Sequence, residues 1–205
     1  MPEQLGVDAA GELSGKALKS CLTDPRLPVR IAAMDAYFGT VYPHERQCSE
    51  AVELPGGTPT EKAEFRDNLI ADIAKVEQGM KIALIGVVNP LIAAIRKRGE
   101  TCLPCDLQME RTHWGDPVEK DMEKVLDSAD GVICTGMTLS NGTFDRVIER
   151  VLERSIPLTV YAQTGSAVAA RFVGAGITSL VAEPFPFSQF SANATRVFCY
   201  RGQGD

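Results

Sequence analysis

From Lys81 to Val181 the chain repeats one rhythm: a short apolar run, then a stretch with apolar residues at helical spacing. Few folds accommodate it. The runs Lys81 to Val88, Thr101 to Leu107, Gly131 to Cys134, Leu158 to Ala162 and Thr178 to Val181 read as buried strands. The helical stretches between them are Pro90 to Arg98, Pro117 to Leu126, Phe144 to Arg154 and Ser166 to Val173. Such alternation makes a parallel sheet flanked by helices, an α/β Rossmann-like class. Pro104 removes a ladder donor from the second run, so that strand belongs at an edge. Counting from Lys81, the strand order becomes 2-1-3-4-5, and the chain reverses direction between the first and third strands. A crevice is expected there, at the carboxyl ends of the strands.

Upstream the pattern is mainly helical. Residues 1–27 read as an extension with a short helix around Ala17, Leu18 and Leu22, and Val29 to Val41 as a helix with Ile31, Met34 and Phe38 on one face. Glu50 to Pro59, with Pro55-Gly56-Gly57, reads as a linker. Thr58 or Thr60 then caps a helix carrying Phe65, Leu69, Ile73 and Val76. The expected organisation is a small helical attachment over 1–79 and a ligand-binding domain over 80–205.

Three small-residue turns should meet at the crevice: Gly86-Val87-Val88-Asn89-Pro90, Thr135 to Thr143, and Gln163-Thr164-Gly165-Ser166. Glycines let a ligand approach the backbone, and the following helix starts offer unpaired N–H groups. Ser140, Asn141 or Thr143 is each suited to cap the helix after the third strand. The alternative is a well-capped strand-to-helix loop with no ligand.

Composition narrows the partners. A net charge of -6 argues against nucleic acid and anionic membrane, both of which need a basic face. No apolar run approaches the roughly 20 residues that span a bilayer, and the start Met1-Pro2-Glu3-Gln4 lacks a signal-peptide pattern. Six cysteines without regular spacing then read as reduced thiols, so a cytoplasmic protein is expected.

Thr135-Gly136-Met137-Thr138-Leu139-Ser140-Asn141-Gly142-Thr143 resembles the TG-x-TL-x-N-x-T signature of the Rossmann-like proteins called the putative heavy-metal chelation family. The resemblance extends over about Met80 to Val181. It includes the first strand, Glu110 after the second, the aspartate of Ser128-Ala129-Asp130, and Gly174-Ala175-Gly176-Ile177 before the last strand. Where that family usually has Gly-Pro-Ser after the fourth strand, this chain has Gln163-Thr164-Gly165-Ser166. Val29 to Ala36 is similar to the end of the family's N-terminal domain, most of whose strands lack counterparts here. The resemblance implies the fold and the position of the site.

The chemical candidates follow from residue type. Cys102, Cys105, His44 and His113 are the metal-ligand candidates, and Cys102-Leu103-Pro104-Cys105 has the gap a soft-metal site favours. Positions three apart in a strand face opposite ways, so core or edge thiols are the alternative. The first turn lacks G-x-G-x-x-G, which argues against NAD. Asp106 or Glu110 can accept from ribose hydroxyls, which favours a nucleoside with one charged arm, such as S-adenosylmethionine; solvated carboxylates are the alternative. Ser166 and Ser140 show no histidine partner in sequence. The run Phe185 to Phe190 is read as packing against the core or a subunit partner, or as a lid.

The expected function is therefore binding of a small molecule, adenosyl-bearing or amino-acid-like, by an enzyme such as an S-adenosylmethionine-dependent transferase or lyase. Gly86, Asn89, Pro90, Glu110, Thr135, Gly136, Thr138, Asn141, Thr143, Gly165 and Ser166 are the ligand-binding candidates. The rival is a non-catalytic heavy-metal or metal-chelate binder. A homo-oligomer is expected in either case.

Overall fold

All five apolar runs form parallel strands in the computed structural model of the chain, which describes residues 11–202. Two further strands extend the sheet. β1 (Glu50–Leu54), β2 (Lys81–Ile85), β3 (Thr101–Cys105), β4 (Gly131–Thr135), β5 (Leu158–Ala162), β6 (Ser179–Ala182) and β7 (Thr195–Arg201) lie in the order β1-β7-β6-β5-β4-β2-β3. The five parallel strands keep their expected sequence, and β3 with its Pro104 is at the edge. The edge is nevertheless covered: Glu119 donates its backbone N–H to Pro104 O at 2.9 Å, and Asp106 N donates to Glu119 O at 3.1 Å. Pro117 to Glu119 are therefore extended and not helical, and the helix expected from Pro117 begins at Met122, capped by Asp121.

The linker reading of 50–59 is corrected by β1, which pairs antiparallel with β7 from Glu50 opposite Cys199 to Leu54 opposite Thr195. Only Leu54 of this strand is buried, because β1 is an edge. An edge strand shows little of the apolar pattern that betrays a central one.

Helices cover both faces. On one lie α1 (Leu27–Val41), α2 (Met122–Ser128), α3 (Phe144–Arg154) and α4 (Ser166–Ala169), closing over Val132, Cys134, Val160 and Leu180. On the other, α5 (Pro59–Ile73) and α6 (Asn89–Lys97) close over Leu84, Ile133, Val181 and Val197. Strand residues alternate between these two cores, as a two-sided sheet requires. Thr58 caps the Pro59–Ile73 helix in a reciprocal pair with Glu61. Phe65, expected inside, is exposed, and the inner face of that helix holds Lys62, Arg66, Asp67, Ile70 and Ile73.

A short helix, Leu18–Cys21, occupies the extension expected over 1–27; residues 1–10, with the Met1-Pro2-Glu3-Gln4 start, lie outside the described residues. No helix among the described residues is long and apolar enough to cross a membrane.

Candidate functional site

The turns after β2, β4 and β5 share one rim because their strands are parallel. Where the chain reverses between β2 and β4, Gly86 has φ +85°, and a Cβ there would lie 2.3 Å from Thr135 Oγ1. Only glycine fits such a contact. Thr135 Oγ1 is buried and has no hydrogen-bond partner among the described residues. Asn89 Oδ1 accepts the His113 backbone N–H at 2.9 Å, and Pro90 stands in the first turn of α6. Asp106 is occupied by backbone, accepting from Val87, Gln108 and Met109. Burial pushes its carboxyl up, but these N–H donors outweigh burial and hold it below its ordinary value. Glu110 is exposed in the segment beyond β3.

The signature segment is a short helix, Met137–Asn141, and not an open turn. Its polar groups are largely spent on its own geometry. A Cβ on Gly136 would meet Ala162 Cβ and Thr164 O, both at 2.9 Å, so that glycine allows packing against the neighbouring turn. Thr138 donates to Thr135 O at 2.8 Å. Asn141 Oδ1 accepts from both the backbone N–H and the hydroxyl of Thr143, fixing the break before α3. A Cβ on Gly165 would press on Leu139 Cδ1. Asp130 works at the opposite end of the sheet, accepting the Lys81 N–H at 2.8 Å.

What the segment presents outward is a cavity wall. A cavity of about 350 Å³ lies between the residues that follow β4 and those that follow β5, with α1 as its third side. Its apolar lining includes Ile31, Met34 and Phe38 of α1, Leu139, and Val168 of α4. Asp145 and Arg171 supply the charges. Both are exposed, and among the described residues neither has an ion-pair partner within 4 Å. The Arg171 guanidinium lies 4.8 Å from the Tyr42 ring centroid. The cavity is thus one strand along from the expected crevice, because α1 packs across α4 and the Met137–Asn141 helix.

Ser166 does have a histidine partner. His44 Nε2 is 3.1 Å from Ser166 Oγ, and His44 Nδ1 is 2.6 Å from Tyr200 Oη. Sequence could not show this contact, since 122 residues separate the first pair. Burial lowers the His44 pKa and raises that of Tyr200. With the phenol donating to Nδ1, the Nε2 proton points at Ser166 Oγ, the reverse of base activation. Ser166 is 1% exposed, and the Ala167 N–H that would stabilise an oxyanion is taken by Asp35 Oδ1 at 2.7 Å. The trio therefore ties the His44 segment and β7 to α4.

The four metal candidates are not brought together. Cys102 lies in the core under α5 and α6, and Cys105 in the opposite core. Burial pushes their thiols up to about 12 and about 11, against the thiolate a metal requires. His44 is buried with Ser166 and Tyr200, whereas His113 is exposed. Among the described residues no group of three or more His, Cys, Asp or Glu could hold one ion. The donor set does not fit a protein-held metal.

One charged cluster escaped the sequence reading. On the α5 side, Arg66 Nε bonds Asp67 Oδ1 at 2.8 Å, and Tyr161 donates to Glu183 Oε2 at 2.5 Å. Ser188 N donates to Glu183 Oε1 at 2.5 Å. Burial raises Asp67 despite Arg66; burial also raises Glu183, but the Ser188 and Tyr161 bonds prevail and lower it. The sequence pattern places Phe65, Leu69, Ile73 and Val76 on the inner face of α5 and gives its charged residues no role. Beside this cluster the Phe185 and Phe190 rings stand 77% and 70% exposed.

The sequence model of the family described as putative heavy-metal chelation matches residues 68–179. No curated protein matches the chain. A protein of unknown function from that family in Desulfitobacterium hafniense superposes with TM-score 0.56 at 17% identity, over 88% of this chain and 68% of that one. A second, from Pyrococcus horikoshii, gives TM-score 0.51 at 17% identity over 75% of this chain and 55% of the other. The chain is thus similar to both in fold while spanning about two thirds of the first and about half of the second.

Proposed function

This chain belongs to the putative heavy-metal chelation family, and from that premise we propose that it binds a small molecule with an apolar body in the cavity walled by α1 and the Met137–Asn141 helix. The observation that carries the reading is the cavity itself: about 350 Å³, mostly apolar, with two charges at its mouth. Small-molecule sites are of this kind, and this one is near the lower end of their size range. The amino-acid-like half of the sequence expectation suits that size. S-adenosylmethionine is supported less: Asp106 is committed to backbone and Glu110 does not line the cavity. The family's description points to metal, but the chain's own donors lie apart, so a metal would enter as part of a ligand.

Thermal denaturation with a panel of apolar amino acids, small aromatic alcohols, S-adenosylmethionine and divalent metals tests this. Stabilising compounds should lose their effect when Val168→Phe or Met34→Phe fills the cavity. Stabilisation that survives both variants would place the ligand elsewhere and overturn the reading.

A further inference from the structure

We infer that the ligand of this cavity is a zwitterion, an α-amino acid with an apolar side chain, its ammonium facing Asp145 and its carboxylate facing Arg171. The inference rests on the cavity reading and gives it a substrate class. Asp145 is in the first turn of α3, and Arg171 follows α4, so the two charges come from different elements and both line this cavity. Among the described residues, neither has an ion-pair partner within 4 Å. Elsewhere on α3 the charged side chains are engaged: Arg146 with Glu123 and Glu149, and Arg150 with Glu123, Asp127 and Glu153. Among the described residues Asp145 is thus the α3 carboxylate left unpaired, since Glu149 and Glu153 both have arginine partners.

Charge complementarity selects the ligand. A carboxylate alone would meet Arg171 but be repelled by Asp145; an amine alone would meet Asp145 but be repelled by Arg171. A ligand bearing both groups satisfies both. The remaining wall, Ile31, Met34, Phe38, Leu139 and Val168 among it, carries no polar side chain and favours a branched or aromatic hydrocarbon. The Arg171 guanidinium carbon lies over the Tyr42 ring, 4.8 Å from its centroid, a contact that spends none of its N–H groups on an acceptor.

Calorimetric titration of the full chain tests the class. The probes are phenylalanine and leucine, their deaminated acids 3-phenylpropanoate and 4-methylpentanoate, their decarboxylated amines, and uncharged benzyl alcohol. The amino acids should bind at least tenfold more tightly than either one-charge analogue. Asp145→Asn should weaken phenylalanine about tenfold while leaving or improving 3-phenylpropanoate, and Arg171→Gln should do the converse with phenethylamine. If the amino acids bind no better than their analogues, or Asp145→Asn leaves phenylalanine unchanged, the zwitterion is refuted. Should benzyl alcohol alone bind, and lose its binding in Val168→Phe, the cavity reading stands while the zwitterion falls. If no probe binds, both fall.

Discussion

Asp35 Oδ1 accepts the backbone N–H of Ala167 at 2.7 Å, so a side chain from α1 caps the first turn of α4, 132 residues away. The bond fastens the helix that roofs the cavity to the turn after β5. Replacing Asp35 with Ala leaves the Ala167 N–H in a buried position without a partner, a loss of about 1–3 kcal/mol. Urea denaturation should show that loss, and ligand-dependent stabilisation should fall with it because the cavity wall loosens. Asp35→Asn, which keeps an acceptor, should recover most of both.

Gly86 and Thr135 should behave as one unit. Gly86→Ala puts a methyl 2.3 Å from Thr135 Oγ1 at a φ of +85°, so both overlap and backbone strain oppose it. Strain alone costs about 1–2 kcal/mol, and the overlap adds about 1–3 kcal/mol. Pairing Gly86→Ala with Thr135→Ala removes the overlap and leaves the strain, so the double variant should be more stable than Gly86→Ala alone. Equal stabilities in chemical denaturation would show that the two side chains do not compete for space.

Acid should loosen the His44 anchor. Its folded-state pKa lies below the ordinary 6.5 because burial disfavours the charged ring. The neutral ring therefore stabilises the fold above 6.5, and that contribution is lost as pH falls through the folded pKa. The urea midpoint of the native chain should drop between pH 8 and pH 5 more steeply than that of His44→Gln.

Tyr161 and Glu183 share a buried hydrogen bond, and Tyr161→Phe should destabilise by about 1.5–3 kcal/mol because the acceptor is charged. Combined with Glu183→Gln, the two losses should fall short of their sum. Strict additivity in the double-mutant cycle would mean that the bond does not form.

The thiols give a direct chemical readout. Cys102, Cys105 and Cys134 are buried with thiols pushed up to about 12, about 11 and about 12 by desolvation, whereas Cys21 is partly exposed. Iodoacetamide at pH 8 should label Cys21 first under native conditions, with the three buried thiols reacting only after denaturation, as read by mass spectrometry. Prompt native labelling of Cys102 would instead mean an open edge at β3.

The readable parts of this fold were those where burial is two-sided. Strands such as Gly131–Thr135 announce themselves by an unbroken apolar run, and Pro104 located its own strand at the edge. Glu50–Leu54 hid because, at an edge where only Leu54 is buried, two glutamates interrupt its apolar residues. The resemblance of Thr135 to Thr143 marked the right rim, but not that Thr138 and Asn141 serve the turn itself while Leu139 and Asp145 face the cavity. Arg66 and Asp67 were illegible for a different reason. Nothing in a local pattern says that a charged helical face will be turned inward, since its partners Tyr161 and Glu183 come from β5 and from the residue that follows β6.

The antiparallel ladder between Glu50–Leu54 and Thr195–Arg201 sets a sequence of events as well as a shape. As the chain leaves the ribosome, the earlier of these segments has its ladder partner some 140 residues behind it, so its row of amides waits until that partner has been made. β7 then joins β6 on one side and fastens β1 on the other, so that losing it would strip the first segment of its ladder and leave β6 as a new open edge.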